Sequence, residues 1–176
     1  KSSLVQWVYV GIVGLVCAGS ILAGLPSRVT GLNHVASMFE YLADFSKANL
    51  PAHSTIFEGD IGILAYRTNM RIVDLGGLVS PEVMPKKEGE FRYFSDLVRE
   101  QRPELICIES DVRSDKVLDE LVVQYRAFRN KNDKAAFFKQ YTRIENKDNL
   151  FPQWIYMRSD LAQKRKIVYP DPGAYR

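Results

Sequence analysis

The sequence predicts an α/β fold, in which an N-terminal transmembrane helix precedes a three-layer domain with a mainly parallel, roughly five-stranded sheet. An uncharged apolar run near the N-terminus predicts the membrane helix, and short apolar runs that alternate with helical patterns predict the parallel part of the sheet. We therefore expect a transmembrane helix at 1–27, an α/β domain at 28–160 and a basic tail with proline and tyrosine at 161–176.

The apolar run covers residues 4–25, with Lys1 and Arg28 outside it. As a helix it would span roughly 33 Å, which is enough to cross a bilayer core. Trp7 and Tyr9 near one end are typical of the membrane interface. The apolar region of a signal peptide is shorter, and a buried soluble helix is rarely apolar all round. The run therefore favours a membrane span.

A helical pattern follows the span and ends near Leu50; its apolar positions are Val35, Met38, Phe39, Leu42 and Phe45. The next segment predicts a strand at Thr55–Phe57, a short helix from Ile61 and a second strand at Arg71–Leu75. Gly76 and Gly77 end that strand, where a positive φ is tolerated at little cost. This strand–helix–strand unit favours a parallel sheet.

The C-terminal half predicts a helix marked by Phe91, Phe94, Leu97 and Val98 and stopped by Pro103. A buried strand is predicted at Leu105–Glu109. A further helix is expected after Ser114, with the apolar stripe Val117, Leu118, Leu121, Val122 and Tyr125. A helical turn at 135–138 precedes two alternating segments, Tyr141–Glu145 and Trp154–Arg158. We interpret these two as antiparallel strands at the sheet edge.

Charge is unevenly distributed along the chain. Residues 28–120 carry 11 Lys and Arg against 16 Asp and Glu, whereas residues 121–176 carry 12 against 5. A solvated surface explains such a bias, and so does a face near anionic lipid phosphates, which would involve Arg126–Lys166. We expect no nucleic-acid partner. The two cysteines, Cys17 and Cys107, lie in apolar runs and indicate neither a disulfide framework nor a metal pattern.

Acidic residues follow the predicted strands. In a parallel sheet these acids could meet at one edge and bind a divalent metal or sugar hydroxyls; they are Glu58, Asp60, Asp74, Glu109 and Asp111. The alternative, which we favour, is that Glu58 and Asp60 cap the following helix and that Asp74 holds the glycine loop. Arg67 and Arg71 are candidate partners of Asp74 or of an anionic ligand. No motif of a known catalytic apparatus is present, and we expect no cofactor or metal.

One motif has a recognisable counterpart; its residues are Gly59, Asp60, Ile61, Gly62, Tyr66, Ile72, Asp74, Leu75, Gly77, Leu78 and Pro81. With the preceding span it resembles the C-terminal part of bacterial membrane glycosyltransferases of the GT-C class. The resemblance covers residues 7–83, weakens towards Glu109 and does not extend further. Together with the acids and Arg71 it gives the candidate motif and ligand-binding residues Glu58, Asp60, Gly62, Tyr66, Arg71, Asp74 and Gly77.

The resemblance implies that the whole protein is a polytopic enzyme that transfers a sugar from a polyprenyl-phosphate donor. Residues 28–176 would then lie on the outer side of the cytoplasmic membrane, against membrane lipid and the rest of the parent protein. In that class the catalytic base lies in the first outer loop, so no catalytic residue is assigned to this chain. The domain would help to hold the polyprenyl-phosphate sugar or the glycan acceptor.

Two alternatives remain open. The first is a single-pass, membrane-anchored α/β binding domain without sugar chemistry, for which an initiator methionine is expected just before Lys1. The second is a metal-dependent hydrolase built on Glu58, Asp60, Asp74 and Glu109.

Overall fold

A computed structural model of the chain describes most of the domain but not the apolar N-terminal run; the described residues are 36–59, 62–84, 92–109, 118, 125–145, 153–164 and 166–175. The predicted transmembrane helix at 1–27 lies outside them. Within the described residues, no helix is both long and apolar enough to cross a membrane. Contacts divide the chain into two units, Lys1–Ser37 and Met38–Arg176, and the second contains the sheets and nearly all of the described helices.

The helices and strands alternate largely as the sequence predicts. Helix α1 covers residues 36–49, and the other helices are α2 (Gly62–Thr68), α3 (Phe94–Gln101), α4 (Lys131–Gln140) and α5 (Ser159–Lys164). The strands are β1 (Thr55–Glu58), β2 (Arg71–Asp74), β3 (Arg92–Tyr93), β4 (Leu105–Glu109), β5 (Tyr125–Arg126), β6 (Tyr141–Ile144) and β7 (Gln153–Arg158). Short 3-10 turns cover Pro81–Val83 and Pro172–Tyr175.

The main sheet has five strands in the order β2-β1-β4-β7-β6. Strand β1 pairs in parallel with β2 and β4, whereas β7 pairs antiparallel with both β4 and β6. The sheet is therefore mixed, and the prediction of a mainly parallel sheet is wrong. The cause is the β6–β7 hairpin, whose second strand inserts between β4 and β6 and reverses the direction at that point. The antiparallel pairing of β6 with β7 is confirmed.

Successive strand residues point to opposite sides, so both faces of this sheet carry apolar side chains. Helices cover both faces. On one face Ile56, Leu105 and Met157 pack with α1 and α2. On the other face Phe57, Ile106 and Tyr156 pack with α3 and α4. Strands β1, β4 and β7 are thus apolar on both sides, which explains why their sequences show apolar runs rather than strict alternation.

A second, two-stranded sheet was not predicted. Strands β3 and β5 pair in parallel, with Arg92 opposite Tyr125 and Tyr93 opposite Arg126. The prediction of a helix that runs through Tyr125 is therefore wrong at that residue. Leu118 from the same predicted stripe is fully buried, in agreement with its assignment to the core. Two-residue strands lack a periodic pattern, and their pairing depends on a partner more than 30 residues away.

The C-terminal tail is anchored to α1. Asn49 donates a hydrogen bond to the Val168 carbonyl and accepts one from the Val168 N–H, both at 2.8 Å. The Tyr175 hydroxyl donates to Asp44 Oδ2 at 2.6 Å, and its ring meets Tyr41 edge-on. These contacts fix the tail against the helix that comes after the apolar run in sequence.

We expect the tail to loosen at high pH. Burial raises the pKa of Tyr175 to about 12, and its hydrogen bond to Asp44 acts in the same direction. Because the folded-state pKa lies above the ordinary value of about 10, this contribution to stability is present below pH 10 and disappears as the pH rises through 12. The Tyr175→Phe variant should speed hydrogen exchange of the Val168 amide at neutral pH. Unchanged exchange would show that the hydroxyl does not anchor the tail.

Candidate functional site at the carboxyl ends of the parallel strands

Three parallel strands end side by side at one edge of the main sheet, which we call the carboxyl edge. Glu58 at the end of β1 lies opposite Asp74 at the end of β2, and Glu109 ends β4 on the other side of β1. The chain leaves β1 towards β2 on one side and later returns to β4 on the other. Such a reversal of strand order opens a crevice in which ligands of α/β sheets commonly bind.

The Asp74 carboxylate closes the loop after β2, residues 75–80, which we call the Asp74 loop. Its Oδ1 accepts the Gly76 N–H at 2.7 Å and its Oδ2 accepts the Val79 N–H at 3.0 Å. The Asp74 N–H donates to Ser80 Oγ at 3.0 Å. Asp74 is only 2% exposed, so these bonds satisfy a buried charge. The favoured interpretation of Asp74, a loop-holding acid, is the one that the structure supports.

Ser80 is the residue of this loop that sequence reasoning missed. It is buried, and its hydroxyl receives the N–H of the last β2 residue. A serine followed by Pro81 at the end of a glycine loop is the signal that could have identified it, because serine hydroxyls commonly satisfy backbone groups in turns.

Gly77 gives the Asp74 loop its path. Its φ is +75°, in the region that glycine occupies at little cost. A Cβ at this position would lie 2.4 Å from Met84 Sδ, so a larger residue would also displace that side chain. The prediction that a glycine adopts positive φ after β2 is confirmed at Gly77.

Leu75 and Ile72 of the motif pack in the two apolar cores, whereas other residues of the motif region lie at the surface. Tyr66 on α2 and Leu78 in the Asp74 loop are each 90% exposed, and Val79 is 56% exposed. Gly62 is the first residue of α2, and no atom lies within 4 Å of where its Cβ would be. The motif thus separates into buried residues that shape the loop and exposed apolar residues at the surface.

Glu58 lies deep in the carboxyl edge, 1% exposed, and its carbonyl accepts the Leu75 N–H at 2.9 Å. Burial raises the pKa of the Cys107 thiol well above its usual range, and the nearby charge of Glu58 acts in the same direction. Cys107 therefore remains a protonated thiol at neutral pH, which makes it a structural residue rather than a nucleophile.

The two arginines do not pair with Asp74, although the sequence made both of them candidate partners. Arg67 contacts Glu40 at 2.8 Å and Asp44 at 3.7 Å, on the surface of α1. Arg71 begins β2, at the opposite end of the strand from Asp74. Its guanidinium donates to Gln101 at 2.9 Å and lies 3.4 Å from Glu82. Asp60 lies outside the described residues.

The described part of the chain contains no group of three or more His, Cys, Asp or Glu side chains that could hold a metal ion. Both oxygens of Asp74 already accept backbone N–H groups, with which a cation would have to compete. Asp74 is therefore better suited to holding a loop than to ligating a metal.

Comparison with known proteins gives a family but no characterised relative. No curated protein and no solved structure matches the chain. The family described as "Domain of unknown function (DUF8728)" matches residues 31–169, which include α1, the main sheet and the Asp74 loop. The chain belongs to this family.

Proposed function

We propose that this chain is the C-terminal, extracytoplasmic domain of a membrane glycosyltransferase that takes its sugar from a polyprenyl-phosphate donor. In this proposal the domain is not catalytic. Its carboxyl edge, with Tyr66 and the Asp74 loop, helps to hold the donor or the glycan acceptor beside an active site elsewhere in the parent protein. Residues 28–176 would lie on the outer side of the cytoplasmic membrane.

The observation that carries the proposal is that the motif which resembles such enzymes contains buried residues that shape a loop and an exposed apolar residue that this loop presents. Its acid, Asp74, is buried and accepts hydrogen bonds from two backbone N–H groups. Gly77 adopts a positive φ, which favours glycine at that position. A motif of this kind maintains shape rather than reactivity, which supports a positioning role. It also weakens the alternative of a metal-dependent hydrolase, which requires Asp74 as a ligand.

The product of that shape is an exposed apolar surface. The buried carboxylate and the positive-φ glycine together hold Leu78 and Val79 outward, where they have little contact with the domain itself. Single exposed apolar residues are common and need no explanation. In this loop, however, internal hydrogen bonds hold two adjacent apolar residues at the surface. A contact of Leu78 with a substrate or with another part of the enzyme would explain this arrangement.

The test is sugar transfer by the full-length protein in membrane vesicles, with a labelled polyprenyl-phosphate sugar as the donor. We expect Leu78→Ser to raise KM for the donor or the acceptor by about threefold to tenfold with little change in kcat, because burying a leucine contributes about 1.5–3 kcal/mol at most. Val168→Ser is the matched control, since Val168 is also exposed but lies in the tail.

Three outcomes would contradict the proposal. Wild-type vesicles without any transfer would remove the enzyme class and leave the membrane-anchored binding domain. Normal kinetics for Leu78→Ser would remove the role of the Asp74 loop, and an equal effect of Val168→Ser would show that the change is not specific to that loop.

A further inference from the structure

A second site lies at the opposite edge of the main sheet, where β4 begins and β7 ends. A cleft of about 690 Å³ opens there, which we call the Arg102 cleft. Its lining residues are Arg102, Glu104, Lys139, Gln140, Tyr141, Arg158, Ser159 and Asp160. Its volume falls within the range of small-molecule sites, and each of its lining residues has a polar or charged side chain. It shares no residue with the carboxyl edge.

The charges of the cleft are only partly balanced. Arg158 contacts Glu104 and Asp160, each at 2.7 Å, so both acids of the cleft are engaged by the same guanidinium. Within the described part of the chain, neither Arg102 nor Lys139 forms an ion pair. The cleft therefore holds three cations against two carboxylates, a net charge of +1, and Arg102 and Lys139 are its two cations outside the described ion pairs.

The backbone of Arg102 is the second observation. It ends α3 in the left-handed conformation, with φ +46° and ψ +54°, and its N–H donates to the Val98 carbonyl at 2.8 Å. Glycine is the usual residue at such a helix end, because other residues pay about 1 kcal/mol there. Non-glycine residues held in this region often serve a function.

The helix dipole does not account for the arrangement by itself. Arg102 comes directly after the end of α3, and Lys139 lies in the last turn of α4. Each cation therefore stabilises the C-terminus of its helix by a few tenths of a kcal/mol. A cation at any position in the last turn would give the same stabilisation. It does not explain why the left-handed position itself carries an arginine, nor why two such ends open onto one cleft.

We propose that the Arg102 cleft binds a small hydroxylated anion, with Arg102 and Lys139 on its carboxylate or phosphate group. Arginine and lysine both recognise these groups, arginine through two parallel N–H bonds. Gln140 and Ser159 supply hydrogen-bonding groups for hydroxyls of the ligand. Arg158 is held in place by Glu104 and Asp160 and presents a fixed wall. This binding does not depend on the function proposed for the carboxyl edge.

The test is calorimetric titration of the full chain with glucuronate, glucose 1-phosphate and neutral glucose. We expect one of the two anions to bind and glucose not to bind. Lys139→Gln should weaken that binding about tenfold, as expected for the loss of a charged hydrogen bond. Lys131→Gln is the control, because Lys131 is an exposed lysine at the other end of α4.

Arg102→Gly separates binding from folding. Glycine suits the left-handed backbone, so this variant should unfold at the same denaturant concentration as the wild type or a higher one, while its affinity falls about tenfold. Binding of glucuronate alone identifies a carboxylate ligand, and binding of glucose 1-phosphate alone identifies a phosphate ligand. The proposal is overturned if neither anion binds, if glucose binds equally well, or if Lys131→Gln weakens binding as much as Lys139→Gln.

Discussion

Replacing Asp74 with alanine should lower the free energy of unfolding by about 3 kcal/mol, because a buried carboxylate is lost and two backbone N–H groups lose their charged acceptor. Those groups belong to Gly76 and Val79, and the Asp74 loop has no other acceptor placed for them among the described contacts. Asp74→Asn should lose somewhat less, since the amide keeps one oxygen but turns its NH₂ towards an N–H. Urea titration of the full chain measures both changes.

Asp171 provides a matched control for this prediction. Its Oδ1 accepts the Gly173 N–H at 2.9 Å, the same two-residue turn that Asp74 makes with Gly76, but at the surface. Asp171→Ala should therefore change the free energy of unfolding by less than about 0.5 kcal/mol. Equal losses for Asp74→Ala and Asp171→Ala would show that burial does not govern the strength of the Asp74 loop.

Replacing Glu104 with alanine is expected to cost about 2 kcal/mol, because its carboxylate joins two strands through charged hydrogen bonds. Its Oε2 accepts a hydrogen bond from the Thr55 N–H at 2.7 Å, where β1 begins. Its Oε1 accepts a hydrogen bond from Nη1 of Arg158 at 2.7 Å, where β7 ends. Part of the loss is recovered by water, since the Glu104 side chain is 19% exposed. The free energy of unfolding from urea titration is again the measurement.

Asp160 tests whether the strand junction or the ion pair is responsible. It contacts the same arginine at the same distance, 2.7 Å, but is 47% exposed and touches no strand N–H in the described contacts. Exposed ion pairs contribute little, so Asp160→Ala should cost less than about 0.5 kcal/mol. If Asp160→Ala were as damaging as Glu104→Ala, the pairing with Arg158 alone would explain the effect.

The sequence predicts the elements of this fold better than their arrangement. Strands β1, β2 and β4 are bounded by glycine, proline or polar residues, so their apolar runs stand out. The position of β7 between β4 and β6 depends on contacts across about 50 residues, and no local pattern records it. Strands β3 and β5 are too short to show a period.

The candidate sites differ in the same way. The Asp74 loop is predictable because its acid and its two glycines lie within four residues, whereas the role of Ser80 was not predicted. The burial of Glu58 was not predictable, because it depends on the strands on both sides of it. The Arg102 cleft draws its residues from three separate segments, and its one local signal is an arginine where a helix end before Pro103 would favour glycine.

The coding sequence upstream of Lys1 tests the central claim most directly. We expect several further apolar segments of about 20 residues each, with acidic residues in the first outer loop, as a polytopic glycosyltransferase requires. An initiator methionine directly before Lys1 would contradict the claim. The protein would then be a single-pass domain, and its function would have to be sought at the carboxyl edge and in the Arg102 cleft.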